Sequence, residues 1–213
     1  YGRVARLLGK AVGRRLTSVE CCLLIDEAAV TIVAGNIRRS AGMRQFASND
    51  TSAAGAKDNL WQQDADGNWR IDPERDALRM ANHTRVYHTR PSREVLLDAV
   101  TRQFHSGEGA IQFAPEAIAR SNADLLSTPE LRREFIDIYC DQGKEEAGRW
   151  LNLNHGPIAE AELEHRLGRY GLNPCGEILG ADFHCNLAEV HLNQIDPSDD
   201  EGQRDAFRAG ALS

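Results

Sequence analysis

The sequence predicts an α/β fold. Segments with helix caps and a helical period of apolar residues alternate with short apolar segments bounded by Gly or Pro. The 213 residues are 41% hydrophobic and 27% charged, which is near the average for globular domains. A chain of this length can bury about 70% of its unfolded surface, so we expect one domain or a large part of one.

The first well-defined helix follows Thr17. Thr17-Ser-Val-Glu20 matches a capping box, in which the hydroxyl and the carboxylate each accept a hydrogen bond from a free backbone N–H. We expect a helix from Ser18 to Val33, with Gly35 as its stop. Because this segment is apolar almost all round, it is predicted to be a buried helix.

The next part of the chain is predicted to be mostly irregular. Residues 36–50 are expected to form a loop, and residues 57–71 an exposed loop or short helix. The basic residues at the centre of the first loop are Arg38, Arg39 and Arg44. Residues 82–87 are predicted to form a strand.

Three helices and one strand are predicted between residues 92 and 167. An amphipathic helix begins at Ser92 and ends near Gly107, and residues 110–113 form a short buried strand. Thr128-Pro129 opens the next helix, with Thr as N-cap and Pro at the first helical position. Residues 159–167 form the last of these helices.

The character of the sequence changes at residues 172–179, which are short, marked by Gly and Pro, and not periodic. We expect this segment to be a tight loop and residues 183–192 to be a strand with one polar face. Residues 203–213 resemble the opening of another helix. The chain therefore looks like an internal fragment of a longer protein.

Charge and cysteine content exclude several classes of protein. The chain has 25 Lys and Arg against 32 Asp and Glu, a net charge of −7, which argues against a nucleic-acid partner. No apolar run approaches 18 residues and no signal peptide is visible, so no membrane partner is expected. Five cysteines, an odd number, favour a reducing, cytoplasmic location.

Asn173-Pro174-Cys175-Gly176-Glu177 is the most informative segment for chemistry. In an extended or tightly looped segment alternate side chains share a side, so Asn173, Cys175 and Glu177 are expected to converge. A neighbouring carboxylate raises the pKa of a thiol, which argues against an ordinary thiolate nucleophile. The trio suits a neutral thiol that exchanges hydrogen atoms, a carboxylate that accepts a proton and an amide that binds a hydroxyl.

Cys185 lies ten residues further on, in Phe183-His-Cys-Asn-Leu-Ala-Glu-Val190. A second thiol near the first offers reducing equivalents if it has a disulfide partner. Asn-Pro-Cys-Gly-Glu followed by Cys-Asn-Leu resembles the active-site finger loop of ribonucleotide reductase catalytic chains. Ala34-Gly-Asn-Ile-Arg-Arg-Ser-Ala41 resembles the specificity loop of that family, especially of its adenosylcobalamin-dependent members. Together the motifs span roughly residues 17–193.

The resemblance implies a role for each matching residue. Cys175 would become the thiyl radical that removes the 3′ hydrogen of the substrate, and Glu177 would take the proton of the 3′-hydroxyl. Asn173 would bind the substrate, and Cys185 would be one half of the dithiol that reduces C2′. The residues implied in effector and substrate binding are Asn36, Arg38, Arg39 and Ser40.

The resemblance also implies a fold and partners. The chain would be part of a single catalytic domain, the ten-stranded α/β barrel, with residues 36–50 as a specificity-type loop and 172–179 as the internal finger loop. The substrate would be a ribonucleoside di- or triphosphate, with the triphosphate favoured, and a nucleotide would act as effector. Adenosylcobalamin would be the cofactor, held mostly outside this chain, and a thioredoxin-type protein the reductant. The partner of Cys185 and the re-reducing cysteines are absent here, so the fragment alone should not turn over.

An alternative from another class is a non-catalytic α/β module that binds nucleotide or zinc. His184, Cys185 and His191 suggest zinc, but no C-x-x-C or H-x-x-x-H spacing is present, so no metal site is predicted. The arginines of residues 36–50 could equally be a solvated basic loop. Asn82-His-Thr84 resembles a substrate-side strand of the family and is not named as a site.

Overall fold

The structure, a computed structural model, describes residues 1–31, 33–34, 38–39, 42–174, 176, 179 and 190–212. It divides into two compact units, Tyr1–Ala181 and Asp182–Ser213. The first unit combines helices with a small parallel sheet, which confirms the predicted α/β class. The strands in the described ranges form no closed barrel.

The first unit contains the predicted helices and strands together with several that the sequence does not predict, and its last four helices follow one another with no strand between them in the described part of the chain. Its helices are α1 (Gly2–Lys10), α2 (Ser18–Val30), α3 (Thr51–Ala54), α4 (Arg93–Ser106), α5 (Ala114–Ser121), α6 (Pro129–Gln142), α7 (Lys144–His155) and α8 (Glu160–Leu167). Its strands are β1 (Val33–Ala34), β2 (Arg38–Arg39), β3 (Gly42–Ala47), β4 (Trp61–Gln63), β5 (Trp69–Ile71), β6 (Ala81–Tyr87) and β7 (Ala110–Phe113). In the second unit, α9 (Asp200–Leu212) confirms the helix expected near the end of the chain.

The main sheet has three parallel strands in the order β3-β6-β7. Met43 pairs with Asn82, Gln45 with Thr84, and Thr84 in turn with Ala110. Since paired residues share a face and neighbours along a strand alternate, this register assigns every side chain to one of two faces. The polar face, as we call it, carries Met43, Gln45, Asn82, Thr84, Val86, Ala110 and Gln112.

The opposite face of the sheet packs against helices and turns. Arg44 reaches α2 and the 3-10 turn Asp76–Met80, where its Nη2 donates to the Leu78 carbonyl at 2.6 Å. His83 stacks on Phe46 with ring centroids 4.3 Å apart and bonds to the Ala53 carbonyl of α3. The helices therefore cover one face of the sheet, and the polar face is left for the segment that follows α8.

Helix α2 corrects the prediction of a fully buried helix. The capping box at Thr17 and Glu20 is present, but the helix ends at Val30, not Val33. Ile25 is 68% exposed, whereas Asp26 and Glu27 are buried. Both carboxylates lie inside because arginines distant in sequence reach them: Arg44 contacts Asp26, and Arg3 contacts Glu27 at 2.7 Å.

Helices α5 to α8 form the main hydrophobic cluster. Its buried members are Ile118, Ala119, Leu126, Phe135, Ile136, Tyr139, Ala147, Leu151 and Leu167. The predicted caps hold: Thr128 accepts from the Leu131 N–H at 3.2 Å, and Ser92 caps α4. A β-carbon on Gly148 would lie 3.1 Å from Leu167, so α7 and α8 approach closely at this glycine. This cluster fixes the end of α8, from which the chain runs to the predicted loop.

Three predictions for irregular or extended segments are wrong in part. Within 36–50, Arg38–Arg39 pair with β1. Residues 42–47 form a strand, and Arg44 is not a solvated loop residue because it is buried against Asp26. Residues 57–71 contain a hairpin of β4 and β5, whose cross-strand pairs include Trp61 with Ile71. Residues 183–189 lie outside the described residues, and Leu192–Gln194 form a 3-10 turn, not a strand end.

Candidate active site

The segment with the Asn-Pro-Cys-Gly-Glu motif begins and ends at one point. Leu172 and Leu179 form an isolated antiparallel bridge, so the two ends of the intervening segment lie side by side. The Gly176 N–H donates to the Asn173 carbonyl at 3.0 Å. Gly176 has φ +81°, a conformation that residues with a side chain rarely adopt, which explains the glycine here. These facts support the predicted tight loop at 172–179.

The structure describes only part of the predicted site. Asn173 is buried, 8% exposed, at the start of the loop. Arg38 and Arg39 lie in β2, where only their backbone is described. The other predicted site residues, Cys175, Glu177, Cys185, Asn36 and Ser40, lie outside the described residues.

Side chains on the polar face of the sheet hold the chain that leads into the loop. The Tyr170 carbonyl accepts from Gln45 Nε2 at 2.9 Å and from Gln112 Nε2 at 2.7 Å. The Leu172 N–H donates to Gln45 Oε1 at 3.4 Å. One step further, Asn82 Nδ2 donates to the Pro174 carbonyl. The motif therefore enters its loop directly over the polar face.

A cleft of about 360 Å³ lies between this loop and the sheet. The lining residues that matter here are Met43, Asn82, Thr84, Ala110, Leu172 and Gly176. The Thr84 hydroxyl donates to the sulfur of Met43 at 2.8 Å. The cleft lies at the amino-terminal ends of the strands, whereas ligands of open α/β sheets usually bind at the carboxyl ends. The position of the cleft is therefore determined by the loop, and it differs from the usual ligand position in an open α/β sheet.

Four residues that border the site are not among the predicted site residues: Gln45, Asn82, Thr84 and Gln112. Of these, only Asn82 and Thr84 are singled out by the sequence, through the resemblance of Asn82-His-Thr84 to a substrate-side strand. The strand at 82–87 was predicted, and its alternation puts Asn82 and Thr84 on one face. Gln45 lies in a strand that was predicted to be a loop, so no pattern pointed to it. Gln112 lies in a correctly predicted strand, but a buried amide there looks like an interruption of an apolar run.

A cluster of buried charges lies on the opposite face of the sheet. Asp26 Oδ2 is 2.9 Å from Arg44 Nη1, but the contact does not have hydrogen-bond geometry. Burial raises the pKa of Asp26 to about 6, although the positive charges of Arg44 and Lys57 act to lower it. Burial likewise lowers the pKa of His83 to about 4, although the bond to the Ala53 carbonyl works in the other direction. His83 is therefore neutral at pH 7.

These two groups are expected to give opposite pH dependences of stability. The pKa of His83 is lower in the folded state than in the unfolded chain, so its contribution is lost as pH falls from about 6.5 to 4. The pKa of Asp26 is higher in the folded state, so its contribution grows as pH falls from about 6 to 4. Relative to wild type, His83→Gln should lose less stability on acidification and Asp26→Asn should lose more, each by about 1–2 kcal/mol. Urea unfolding from pH 7 to 4 measures both; parallel curves for all three proteins would contradict the assignment.

Comparison with known proteins assigns neither a family nor a function to this site. No protein-family model, curated protein or solved structure matches the chain. Within the described ranges, no group of three or more His, Cys, Asp or Glu side chains could hold a metal ion. His184 and Cys185, which suggested zinc, are not among the described residues. No helix in the described part of the chain is long and apolar enough to cross a membrane.

Proposed function

We propose that this chain is part of the catalytic domain of a ribonucleotide reductase that works through a thiyl radical. One observation carries the proposal furthest: the loop of the Asn-Pro-Cys-Gly-Glu motif is closed by the Leu172–Leu179 bridge and held over the polar face of a parallel sheet. The adjoining cleft is lined by hydroxyl and amide groups of Thr84 and Asn82, which can bind the hydroxyls of a sugar.

The proposed reaction assigns a separate task to each residue of the motif. The Cys175 thiyl takes the hydrogen atom from C3′, and Glu177 takes the proton of the 3′-hydroxyl, while Asn173 binds the substrate. The 2′-hydroxyl leaves as water with a proton from one thiol of the dithiol to which Cys185 belongs, and the other thiol provides the new hydrogen on C2′. Cys185 and a partner cysteine, which the resemblance places upstream, supply two electrons to C2′ and end as a disulfide. Glu177 then returns its proton to the 3′-oxygen, and Cys175 returns its hydrogen atom to C3′.

Three further parts of the proposal, the cofactor, the effector and the external reductant, rest on the resemblance. Adenosylcobalamin, when bound, supplies the radical that converts Cys175 to a thiyl, and no described residue is assigned to holding it. Arg38 and Arg39 would bind phosphates of a nucleotide effector, as a protein of net charge −7 needs a local positive patch for an anion. A thioredoxin-type protein would reduce the disulfide after each turnover.

The finer architecture proposed is the ten-stranded α/β barrel. Strands β3, β6 and β7 would be part of its wall, with the polar face turned inward and the loop 172–179 inside. The one-sided helix cover of this sheet supports that arrangement, because a barrel of this kind has helices only on its outer surface.

The experiment that tests the proposed reaction follows thiols and product together. The full-length protein is incubated without oxygen or added reductant, with ribonucleoside triphosphate and adenosylcobalamin. We expect one deoxynucleotide for each two thiols lost, with Cys185 in a disulfide by mass spectrometry. The Cys185→Ser variant should fail to accumulate product over many turnovers when dithiol is added. Product without thiol loss, or normal turnover by this variant, would contradict the role of Cys185.

A further inference from the structure

Two glutamine side chains from different strands meet on the polar face of the sheet. Gln45 belongs to β3 and Gln112 to β7, and β6 lies between them. Gln45 Nε2 also donates to Gln112 Oε1, so the two amides are bonded to each other as well as to the Tyr170 carbonyl. We call these two side chains the amide clamp.

Tyr170, whose carbonyl the amide clamp binds, is also held in place through its side chain. The ring of Tyr170 packs against the cluster of α5 to α8 and lies edge-on to His88, with centroids 5.2 Å apart. Its carbonyl points to the sheet and accepts both amides. Tyr170 thus joins the helical cluster to the sheet immediately before the loop begins.

The clamp depends on hydrogen-bond donors that a glutamine amide carries at every pH. A carbonyl oxygen can only accept, so both clamp residues must present hydrogen-bond donors to it, as the two amide N–H groups do. Gln45 also accepts from the Leu172 N–H through Oε1, which a side-chain amide can combine with donation through Nε2. Gln112 is buried, 8% exposed, so water cannot replace a lost donor easily. An ionised carboxylate of the same shape would place negative charge against the Tyr170 carbonyl.

We propose that Gln45 and Gln112 are positioning residues that set the place of the loop 172–179 over the cleft. The part of this inference that concerns catalysis rests on the proposed function. Because a hydrogen-atom transfer requires reacting atoms at close range, a displaced loop lowers kcat. Asn173, which the proposed function places in contact with the substrate, moves with the loop, so KM rises as well, but by less than kcat falls.

The test uses Gln112→Glu in the full-length protein, with Gln62→Glu as the matched control. Gln62 is exposed on β4, and its amide donates only to the nearby Asn59 carbonyl at 3.3 Å. At pH 8 we expect amide hydrogen exchange of residues 170–179 to be at least about tenfold faster in Gln112→Glu than in wild type. As pH falls, the buried carboxylate takes up a proton, regains an O–H donor and should return toward the wild-type exchange rate.

Comparison with Gln112→Leu separates the donor from simple packing. Leucine cannot donate at any pH, so its exchange should stay fast throughout, while Gln62→Glu should match wild type. Two results would overturn the proposed role of the clamp. One is a Gln112→Glu exchange rate equal to that of wild type at pH 8, and the other is a Gln112→Glu exchange rate that stays as fast as that of Gln112→Leu at low pH.

Activity forms a separate arm of the experiment. If the wild-type protein makes deoxynucleotide, Gln112→Glu should lower kcat at least about tenfold at pH 8 and raise KM by a smaller factor. A rise in KM at constant kcat would overturn the positioning role. If the wild-type protein makes none, the proposed function fails, and the exchange measurements still decide whether the clamp holds the loop.

Discussion

Replacing Cys175 with serine is expected to abolish deoxynucleotide formation while leaving nucleotide binding nearly intact. Serine has almost the same size, but its O–H bond is much stronger than the S–H bond of cysteine, so no equivalent radical forms. The proposed reaction begins with a hydrogen atom moving from C3′ to this sulfur, and no other step can substitute for it. Chromatography of the products and equilibrium dialysis with the substrate measure the two properties.

Cys21→Ser is the matched control for this substitution. Cys21 is an exposed residue of α2, and the proposal gives it no part in the reaction. This variant should keep the wild-type rate. Cys175→Ala provides a second inactive variant should serine disturb the loop, and thermal unfolding should show both Cys175 variants folded. Residual turnover by folded Cys175→Ser or Cys175→Ala protein would remove Cys175 from the mechanism.

Replacing Arg44 with methionine is expected to lower the free energy of unfolding by about 3–5 kcal/mol. The substitution leaves the buried Asp26 carboxylate without its cation, 2.9 Å away in the wild type. It also removes the donors to the carbonyls of Leu78, at 2.6 Å, and Ala81, at 3.3 Å. Urea unfolding at pH 7, where Asp26 is ionised in the unfolded chain, measures the full effect.

Two comparisons show whether the loss comes from the unpaired charge. Arg102→Met removes an exposed pair with Asp98 on α4 and should change stability by less than about 0.5 kcal/mol. Adding Asp26→Leu to Arg44→Met should recover part of the loss, because an apolar replacement of both partners leaves neither as an unpaired buried charge. A loss below about 1 kcal/mol in Arg44→Met, or no recovery in the double variant, would show that the pair does not stabilise the fold as described.

Local patterns predict helices α2, α4, α6, α8 and α9 and two of the three strands of the main sheet, β6 and β7. The helix at 129–142 follows from Thr128 and Pro129, and the strand at 110–113 from its apolar run between Gly and Pro. The strand at 42–47 was missed because Arg44 and Gln45 look like loop residues. Each is accommodated by a partner far away in sequence: Asp26 for Arg44, and Tyr170 for Gln45. No local pattern contains these partners.

In the candidate site, too, local sequence patterns predict one part and long-range contacts determine the rest. Its loop is visible in the sequence because Pro174, Gly176 and the alternating polar residues are close together. The surface beneath it depends on the register of parallel strands, which joins residues such as Gln45 and Gln112, 67 positions apart. A long-range register of this kind is set by the packing of the whole unit. The residues that hold the loop could therefore be found only in the structure.

The most direct test of the central claim is product formation by the full-length protein. It is incubated with each ribonucleoside di- and triphosphate and a dithiol reductant, with adenosylcobalamin present or omitted, and the products are separated by chromatography. The account predicts deoxynucleotide only when the cofactor is present. Intact nucleotide binding with no deoxynucleotide under any of these conditions would contradict it and would favour a nucleotide-binding module.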